Sequence, residues 1–485
     1  MALPIETFFL SQNHQGTLQS QVQQMIAHGI LSGRFGTGEK LPSTRKLATH
    51  LGISRITVTL AYTELVASDY LTARGRSGYY VSDNAPVPPI YQPQPMAAES
   101  VDWTRAIGQR YSGGRTLSKP KDWAKFRYAF IYGQTDPQLF DHANWRQCAL
   151  QALGQRDFAA LTADYYDRDD PQLIEFIQRN SLPRRGISAN ADQILITMGA
   201  QNALWLTAQV LLTQRRTAAF EDPCYPALRE ILTQSRCHMA PVRVDHKGLP
   251  PDAIPPQADV IFTTPSHQCP TTTTMPMDRR QALIEQARAL DALIVEDDYE
   301  FEMSFLEPPS PALKSMDVDG RVIYVGSFSK SLFPGLRLGY LVGSEPFIRE
   351  ARALRASVLR HPPGHIQRTA AYFLSMGHYD AQIRKMSGAL HARRTAMQSA
   401  IETNGLEIAG IGAFGGSSFW MRAPAHMDAR TLATQLQDDS VLIEPGNAFF
   451  SGEDTPRNYY RLGYSSIQPD RIAEGIARIA KAVHA

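Results

Sequence analysis

Between Asn84 and Ala98 the chain reads NAPVPPIYQPQPMAA, with Pro86, Pro88, Pro89, Pro93 and Pro95 inside fifteen residues. Each proline removes a backbone donor and fixes φ, so this run can sustain neither a helix nor an inner strand. It favours extended polyproline II at roughly 3.1 Å per residue. No single core can run through it. The chain is therefore expected to divide into a small unit over residues 14–82, a linker over 83–119 and a large unit over 120–485. At 485 residues it is long enough to bury at least two cores. The formal net charge of +2 is too small to mark the whole chain as a nucleic-acid binder, so any basic surface must be local. Cys148, Cys224, Cys237 and Cys269 form no CxxC pair, which predicts scattered reduced thiols and no metal site. No Lys or Arg precedes Arg34, and apolar stretches such as Leu204 to Leu212 are too short to span a bilayer. A cytoplasmic protein without membrane contact is the expectation.

In the small unit, Leu18, Val22, Ile26 and Ile30 recur every four residues, the spacing of one face of a helix. GEKLPSTRKLATHLGISRITVTLAYTELVASDYL then predicts two short helices around a tight turn at Gly52. Ser43 and Ser54 are placed to cap them. Leu47 and Leu51 face inward from the first helix, and Val58, Ala61 and Leu65 from the second. That leaves Arg55, Thr59 and Tyr62 outward, with Thr57 in the first turn. Such a face suits a DNA major groove, where arginine reaches guanine or phosphate. LTARGRSGYYV follows as a hairpin, turned by Gly75 and Gly78, with Arg74 and Arg76 at its tip. From Leu18 to Ser82 there are seven Lys/Arg against three Asp/Glu, the local excess that backbone phosphates require.

Residues 14–82 resemble the winged helix-turn-helix of GntR-family bacterial regulators. The match includes Leu41, Pro42, Ser43, Arg45, Leu47 and Ala48 and the glycine-bearing wing. The resemblance implies that Ser43, Arg45, Arg55, Thr57 and Thr59 lie at double-stranded promoter DNA, and that Arg74, Gly75 and Arg76 bring the wing to its minor groove.

In the large unit, apolar strands alternate with helical patterns and end in polar or glycine-bearing loops, as in DQILITMGAQNAL, DVIFTTPSHQCP, ALIVEDDYEFE and RVIYVGSFSK. This alternation predicts a parallel or mixed α/β sheet with function at the strands' C-terminal ends. Gly199 closes one strand, and the amides of Ala200 and Gln201 open a helix able to face an anion. Ser327, Ser329 and Arg337 offer further donors to that anion. Asp297 ends another strand, where a carboxylate can meet a ring N–H, and Tyr299 falls on the same side of an extended chain. An anion cradle, an acid for a ring nitrogen and the amine of Lys330 are the parts needed to hold pyridoxal 5′-phosphate.

GSFSKSLFPGLRLGY, from Gly326 to Tyr340, resembles the Schiff-base segment of fold-type I aminotransferases, a likeness that spans most of residues 120–485. It implies that Lys330 bonds the cofactor, Asp297 pairs with the pyridinium, Tyr299 donates to the ring oxygen and Tyr225 stacks on the ring. Gly199, Ala200, Gln201, Ser327, Ser329 and Arg337 would surround the phosphate, and Arg461 would hold the acidic group of a small amine. Where such enzymes usually carry Asn-Pro-Thr-Gly, this chain has Cys269, Pro270, Thr271 and Thr272, so His267 or Gln268 is the expected substitute at the ring oxygen. Gln172 likewise stands where glycine is common in relatives.

A GntR-type reader joined by a proline-rich linker to an aminotransferase-like domain resembles the MocR/GabR subfamily. That likeness implies a homodimeric, pyridoxal-phosphate-dependent transcriptional regulator, not an enzyme. It would respond to taurine, γ-aminobutyrate or a similar amine by aldimine exchange at Lys330. The alternatives are an aminotransferase with an accessory DNA-binding module, or a regulator of vitamin B6 synthesis that senses the cofactor itself.

Overall fold

The computed structural model describes residues 3–10, 16–86, 101–112, 119–410, 412, 414–452 and 455–485, without the side chains of Arg76, Ala159 and Ala160. Most of the proline-rich run (87–100) and residues 113–118 lie outside the described residues. The chain divides into two units, Met1–Arg110 and Tyr111–Ala485.

In the first unit, helix α1 (Leu18–Leu31) is capped by Thr17, whose hydroxyl accepts the Ser20 N–H at 3.2 Å. Val22, Ile26 and Ile30 are buried, but Leu18 stays exposed, so the apolar stripe begins one turn later than its spacing predicts. Ser43 caps α2 (Thr44–Leu51) by accepting the Lys46 N–H, and the helix ends at Gly52 with φ of 66°. Leu47 is buried and Leu51 half-buried. Ser54 caps α3 (Arg55–Ala67), which buries Val58, Ala61 and Leu65.

Tyr62 departs from the expectation of an outward side chain. It is fully buried, with its hydroxyl donating to Pro42 O at 2.9 Å and its ring edge-on to Tyr79 at 4.8 Å. Four residues after Val58 and three before Leu65, it belongs to the buried stripe. A phenol can join that stripe because its ring is apolar and its hydroxyl finds a carbonyl. Strands β1 (Leu71–Ala73) and β2 (Tyr79–Val81) close the unit as an antiparallel pair, with Leu71 opposite Val81.

The second unit is built on a seven-stranded sheet. In chain order its strands are β3 (Ile194–Thr197), β4 (Thr217–Asp222), β5 (His238–Arg243), β6 (Val260–Thr263), β7 (Leu293–Asp297), β8 (Val322–Ser327) and β9 (Gly339–Val342). In space they run β3-β9-β8-β7-β6-β4-β5. Only β9 is antiparallel to its neighbours. The C-terminal ends of β3, β4, β6, β7 and β8 therefore share one edge of the sheet. Strands β6 and β8 are buried along their whole length, as expected of parallel strands covered on both faces. A smaller antiparallel sheet holds β10 (Glu407–Ile408), β11 (Ser418–Arg422), β12 (Glu444–Pro445) and β13 (Tyr459–Gly463), in the order β10-β11-β13-β12. Its register sets Arg461 between Trp420 and Glu444. Among the described residues no helix is long and apolar enough to cross a membrane.

Buried ion pairs join helices to the sheet. Arg355 and Arg352 both reach Asp169, at 2.6 and 2.9 Å. Arg185, 1% exposed, donates to Asp298 at 2.6 Å and to Ser266 Oγ at 2.7 Å, and Asp298 also accepts the Tyr324 hydroxyl at 2.8 Å. Removing one partner of such a pair leaves an uncompensated buried charge. Arg185→Leu is expected to destabilise the second unit by about 3–5 kcal/mol in urea unfolding. Adding Asp298→Leu to it should recover more than half of that loss, because the orphaned charge is gone.

Candidate functional site

Lys330 stands in the loop between β8 and β9, three residues beyond the last residue of β8. It lines a cavity of about 310 Å³ together with Asp297, Tyr299, Tyr225, Ala200, Gln201, Ser327, Ser329, Arg337 and Arg461. These residues come from five separate stretches of sequence: four lie at or just beyond strand ends on one edge of the large sheet, and Arg461 comes from β13 of the smaller one.

Gly199 closes β3 with φ of 82° and begins the helix α4 (Ala200–Leu211). A Cβ on Gly199 would lie 3.2 Å from Arg337 Nη2 and 3.6 Å from Ser329 Oγ, so the missing side chain lets these donors approach the helix N-terminus. Arg337 Nη2 donates to Met198 O at 3.1 Å, and Ser327 Oγ accepts the Ser329 N–H at 3.2 Å. Helix amides, hydroxyls and a guanidinium thus line one end of the cavity, a donor set suited to a phosphate.

Asp297, the last residue of β7, is buried, and its Oδ1 has no hydrogen-bond partner among the described residues. Burial first, then the charges of Asp298 and Glu221, push its pKa up to about 8. A ring N–H carrying positive charge would satisfy both the orphaned oxygen and the unfavourable field. Tyr225 donates to Gln201 Oε1 at 3.5 Å, and its phenol is raised to about 12, mainly by burial. Tyr299 is raised well above its ordinary value by burial, so both phenols stay protonated donors. These residues fit pyridoxal 5′-phosphate.

Lys330 Nζ lies 3.9 Å from the centre of the Tyr132 ring. The neighbouring Gly133 has φ of 75°, the left-handed region that favours glycine, and a Cβ there would come 2.5 Å from Nζ and displace the lysine's tip. Burial presses the lysine's pKa down to about 8 against the pull of Glu300. Arg461 is buried, with Nε donating to Glu444 Oε2 at 2.8 Å and its guanidinium 4.0 Å from the centre of the Tyr132 ring. Burial opposes its charge, but Glu444 and Cys269 hold its pKa above the ordinary value.

The loop after β6 departs from expectation. Gln268 Nε2 donates to Glu221 Oε2, Pro223 O and Cys269 O, while its Oε1 accepts from Thr271. With donors and acceptor spent inside the loop, it does not line the cavity. His267 Nε2 stands 3.2 Å from Glu300 Oε2, and His267 does not line the cavity either. Cys269 does, as a thiol pushed up to about 12, chiefly by burial. Sequence reasoning missed Tyr132, Gly133, Glu300 and Glu444. Only the adjacent Tyr-Gly pair at Tyr132 offered a local signal, since Glu444 reaches Arg461 through strand register.

In the first unit, Arg45 and Arg55 are exposed, and no hydrogen bond or ion pair holds either guanidinium among the described residues. The Ser43 hydroxyl is occupied as the α2 cap, and Thr59 Oγ1 donates to Arg55 O at 2.9 Å. Thr57 is half-buried. In the wing, Gly75 has φ of 49°, and Arg74 stacks 4.7 Å from the Tyr80 ring centre and 3.9 Å from Asp83. The Arg76 side chain lies outside the description.

Residues 138–479 match the aminotransferase class I and II family, and residues 18–81 match the gntR family of bacterial regulatory proteins. The kynurenine aminotransferase of Pyrococcus horikoshii superposes with a TM-score of 0.68 at 26% identity, covering 75% of this chain and 92% of the enzyme. The α-aminoadipate aminotransferase LysN of Thermus thermophilus shares the fold, with a TM-score of 0.71 at 24% identity over 79% of this chain and 98% of its own. Fold and site together define a fold-type I aminotransferase-like domain carried by a GntR-type helix-turn-helix chain. Full-length relatives narrow the family further. The HTH-type transcriptional regulator TauR of Rhodobacter capsulatus is 57% identical over 483 residues, spanning all of both chains. The probable rhizopine catabolism regulatory protein MocR of Rhizobium meliloti is 29% identical over 96% of this chain and 93% of its own. The pyridoxine biosynthesis regulator PdxR of Corynebacterium glutamicum is 30% identical over 79% of this chain and 78% of its own. The chain belongs to the MocR/GabR subfamily of GntR-type transcriptional regulators.

The raised pKa of Asp297 carries a sign. A carboxyl whose folded pKa lies above its ordinary value contributes stability that is present below that ordinary value and lost as pH rises through about 8. In cofactor-free protein, Asp297→Asn should therefore gain thermal stability relative to wild type as pH rises from 5 to 9, measured by calorimetry. The same variant should bind pyridoxal phosphate at least about tenfold more weakly by equilibrium dialysis, having lost a charge-assisted partner.

Proposed function

We propose that this chain is a pyridoxal-phosphate-dependent transcriptional regulator that binds promoter DNA as a homodimer and responds to taurine, γ-aminobutyrate or a similar acidic amine at Lys330. One observation carries it: a cavity in which an amine of lowered basicity, an unpartnered buried carboxylate and a buried arginine converge.

When bound, the cofactor supplies an aldehyde that primary amines capture reversibly. Asp297 holds the ring end of the site, while Ser327, Ser329, Arg337 and the start of α4 hold the phosphate. With its pKa near 8, Lys330 has an appreciable neutral fraction at physiological pH, which lets it bond the aldehyde and also leave it. Arg461 has Nε committed to Glu444, leaving its Nη groups for a sulfonate or carboxylate on the incoming amine. That supports an acidic amine as the effector class. Arg45 and Arg55, exposed and unpaired among the described residues, are available to DNA phosphates and bases. Two readers in a symmetric dimer suit repeated half-sites. Effector binding must favour one arrangement of the dimer over another to change DNA binding.

One feature favours catalysis instead. A lysine near pKa 8 is tuned for general-base work, as an aminotransferase with an accessory reader would need. Purified protein titrated with taurine separates the two. Regulation predicts a shift of the cofactor's visible absorption, a changed DNA complex and little product. Sustained product formation with DNA binding indifferent to the amine would establish the enzyme. Lys330→Ala is expected to abolish borohydride-fixable attachment of the cofactor.

In the first unit, Arg45→Ala should weaken binding to all DNA sequences and flatten the salt dependence by about one ion, the mark of a phosphate contact. Arg55→Ala should weaken promoter binding and leave the cofactor spectrum unchanged. Unchanged footprints in both variants would overturn the assignment of this DNA-binding face.

A further inference from the structure

Lys330 borders a second cavity, of about 30 Å³, lined also by Glu300, Ser417 and Ser465. Gly133, Gln134, Ser329 and Lys330 are common to both cavities, so they form the partition between them. The second cavity holds no part of the phosphate cradle apart from Ser329 and lacks Asp297.

Its chemistry is incomplete. Glu300 is 1% exposed, and its Oε1 accepts the Ser417 hydroxyl. Its Oε2 has no hydrogen-bond partner among the described residues, though His267 Nε2 stands 3.2 Å away, off line for a hydrogen bond. Burial holds the His267 pKa below its ordinary value despite the pull of Glu300, so the ring is neutral and does not balance the carboxylate. Neither neighbouring arginine is hydrogen-bonded to Glu300 among the described residues: Arg461 Nε donates to Glu444, and Arg394 to Gly412 O and Gly415 O. Ser465 Oγ is buried and likewise unpartnered among the described residues. A small buried pocket with an incompletely matched carboxylate and an idle Ser465 hydroxyl beside a lysine is suited to receive a cation.

We propose that Glu300 receives the Nζ ammonium of Lys330 when an acidic amine displaces it from the cofactor, with His267 and Ser417 as positioning residues for that carboxylate. This rests on the function proposed above for Lys330. The exchange is balanced. The bond from the effector's nitrogen to the aldehyde carbon forms as the bond to Nζ breaks. The effector's ammonium protons pass to Nζ, and one ammonium replaces another. The new ammonium is made inside the protein, where an unpaired charge is most unfavourable, and Glu300 lies across the same small cavity. Both residues line it, and the lysine's flexible four-carbon stem is the part that would carry Nζ across. Held there, Nζ stays protonated and cannot serve as a base on the bound effector. Glu300 thereby biases the site toward holding an amine instead of converting it.

The test uses full-length, cofactor-loaded protein titrated with taurine and with γ-aminobutyrate, following the cofactor's visible absorption. Glu300→Gln should raise the half-saturating amine concentration about tenfold or more, the scale of a lost hydrogen bond to a charged group. Ser417→Ala should shift it in the same direction by a smaller factor, and Glu300→Asp, which keeps the carboxylate, should restore most of the response. If Glu300→Gln fails to fold, Ser417→Ala decides, and an unshifted titration there overturns the inference. A responsive wild type with Glu300→Gln within twofold of it overturns the inference alone. A wild type silent to both amines overturns the proposed function and this inference with it.

Discussion

Asp297 and Asp298 are adjacent at the end of a buried strand, and two unpaired carboxylates there would repel each other in a medium of low polarity. Arg185 determines which one remains free. By pairing with Asp298 at 2.6 Å, while Ser266 takes its other nitrogen, it neutralises one acid and leaves Asp297 Oδ1 without a partner among the described residues. Successive side chains of a strand point to opposite faces, so one acid meets the arginine while the other meets the cavity. The raised pKa of Asp297 shows that this arrangement is unfavourable in isolation. It becomes favourable with a cationic ring in the cavity, and the rest of the site is arranged around that requirement.

The same logic of incomplete pairing runs through the other charged groups. Arg461 is stabilised by Glu444 through one nitrogen only, which holds its plane against Tyr132 and leaves donors over. Lys330 lies over the face of that ring, with burial and Glu300 pulling its pKa in opposite directions. Tyr132 is therefore the ring that both the lysine and the arginine proposed to hold the effector's acid pack against. These groups are poised by partial neutralisation, which gives a site able to exchange one ammonium for another without a net change of charge.

The loop after β6 supports the proposed reading of recognition over conversion. Where relatives usually present an asparagine, Cys269 offers a thiol kept protonated by burial and a far weaker donor. Gln268, the apparent replacement, is consumed by Glu221 and the loop's own backbone. A ring held less firmly on that side is poorly aligned for proton abstraction, where a misplacement of about 1 Å costs on the order of a hundredfold in rate. Reversible capture of an amine makes no comparable demand on alignment.

Much of this was legible in the sequence. The caps at Ser43 and Ser54, the stripe Val58, Ala61 and Leu65, and the alternation of apolar strands with helices all follow from interactions between residues a few positions apart. The Lys330 segment was legible too, because strand, turn and cradle are contiguous in it. Tyr62 was misplaced because an aromatic with a hydroxyl suits either face, and only the carbonyl of Pro42, twenty residues earlier, shows which one holds it. Gln268 was misjudged for a similar reason, since its partners lie on the end of β4. Glu444 and Glu300 carry no motif at all. The sequence by itself determined which segments become helices and strands and which lysine stands just beyond a strand's C-terminal end, because those depend on local periodicity and chemistry. Only the tertiary structure decided which charges are paired and which are left waiting, because pairing depends on strand register and burial, which bring together residues more than a hundred positions apart.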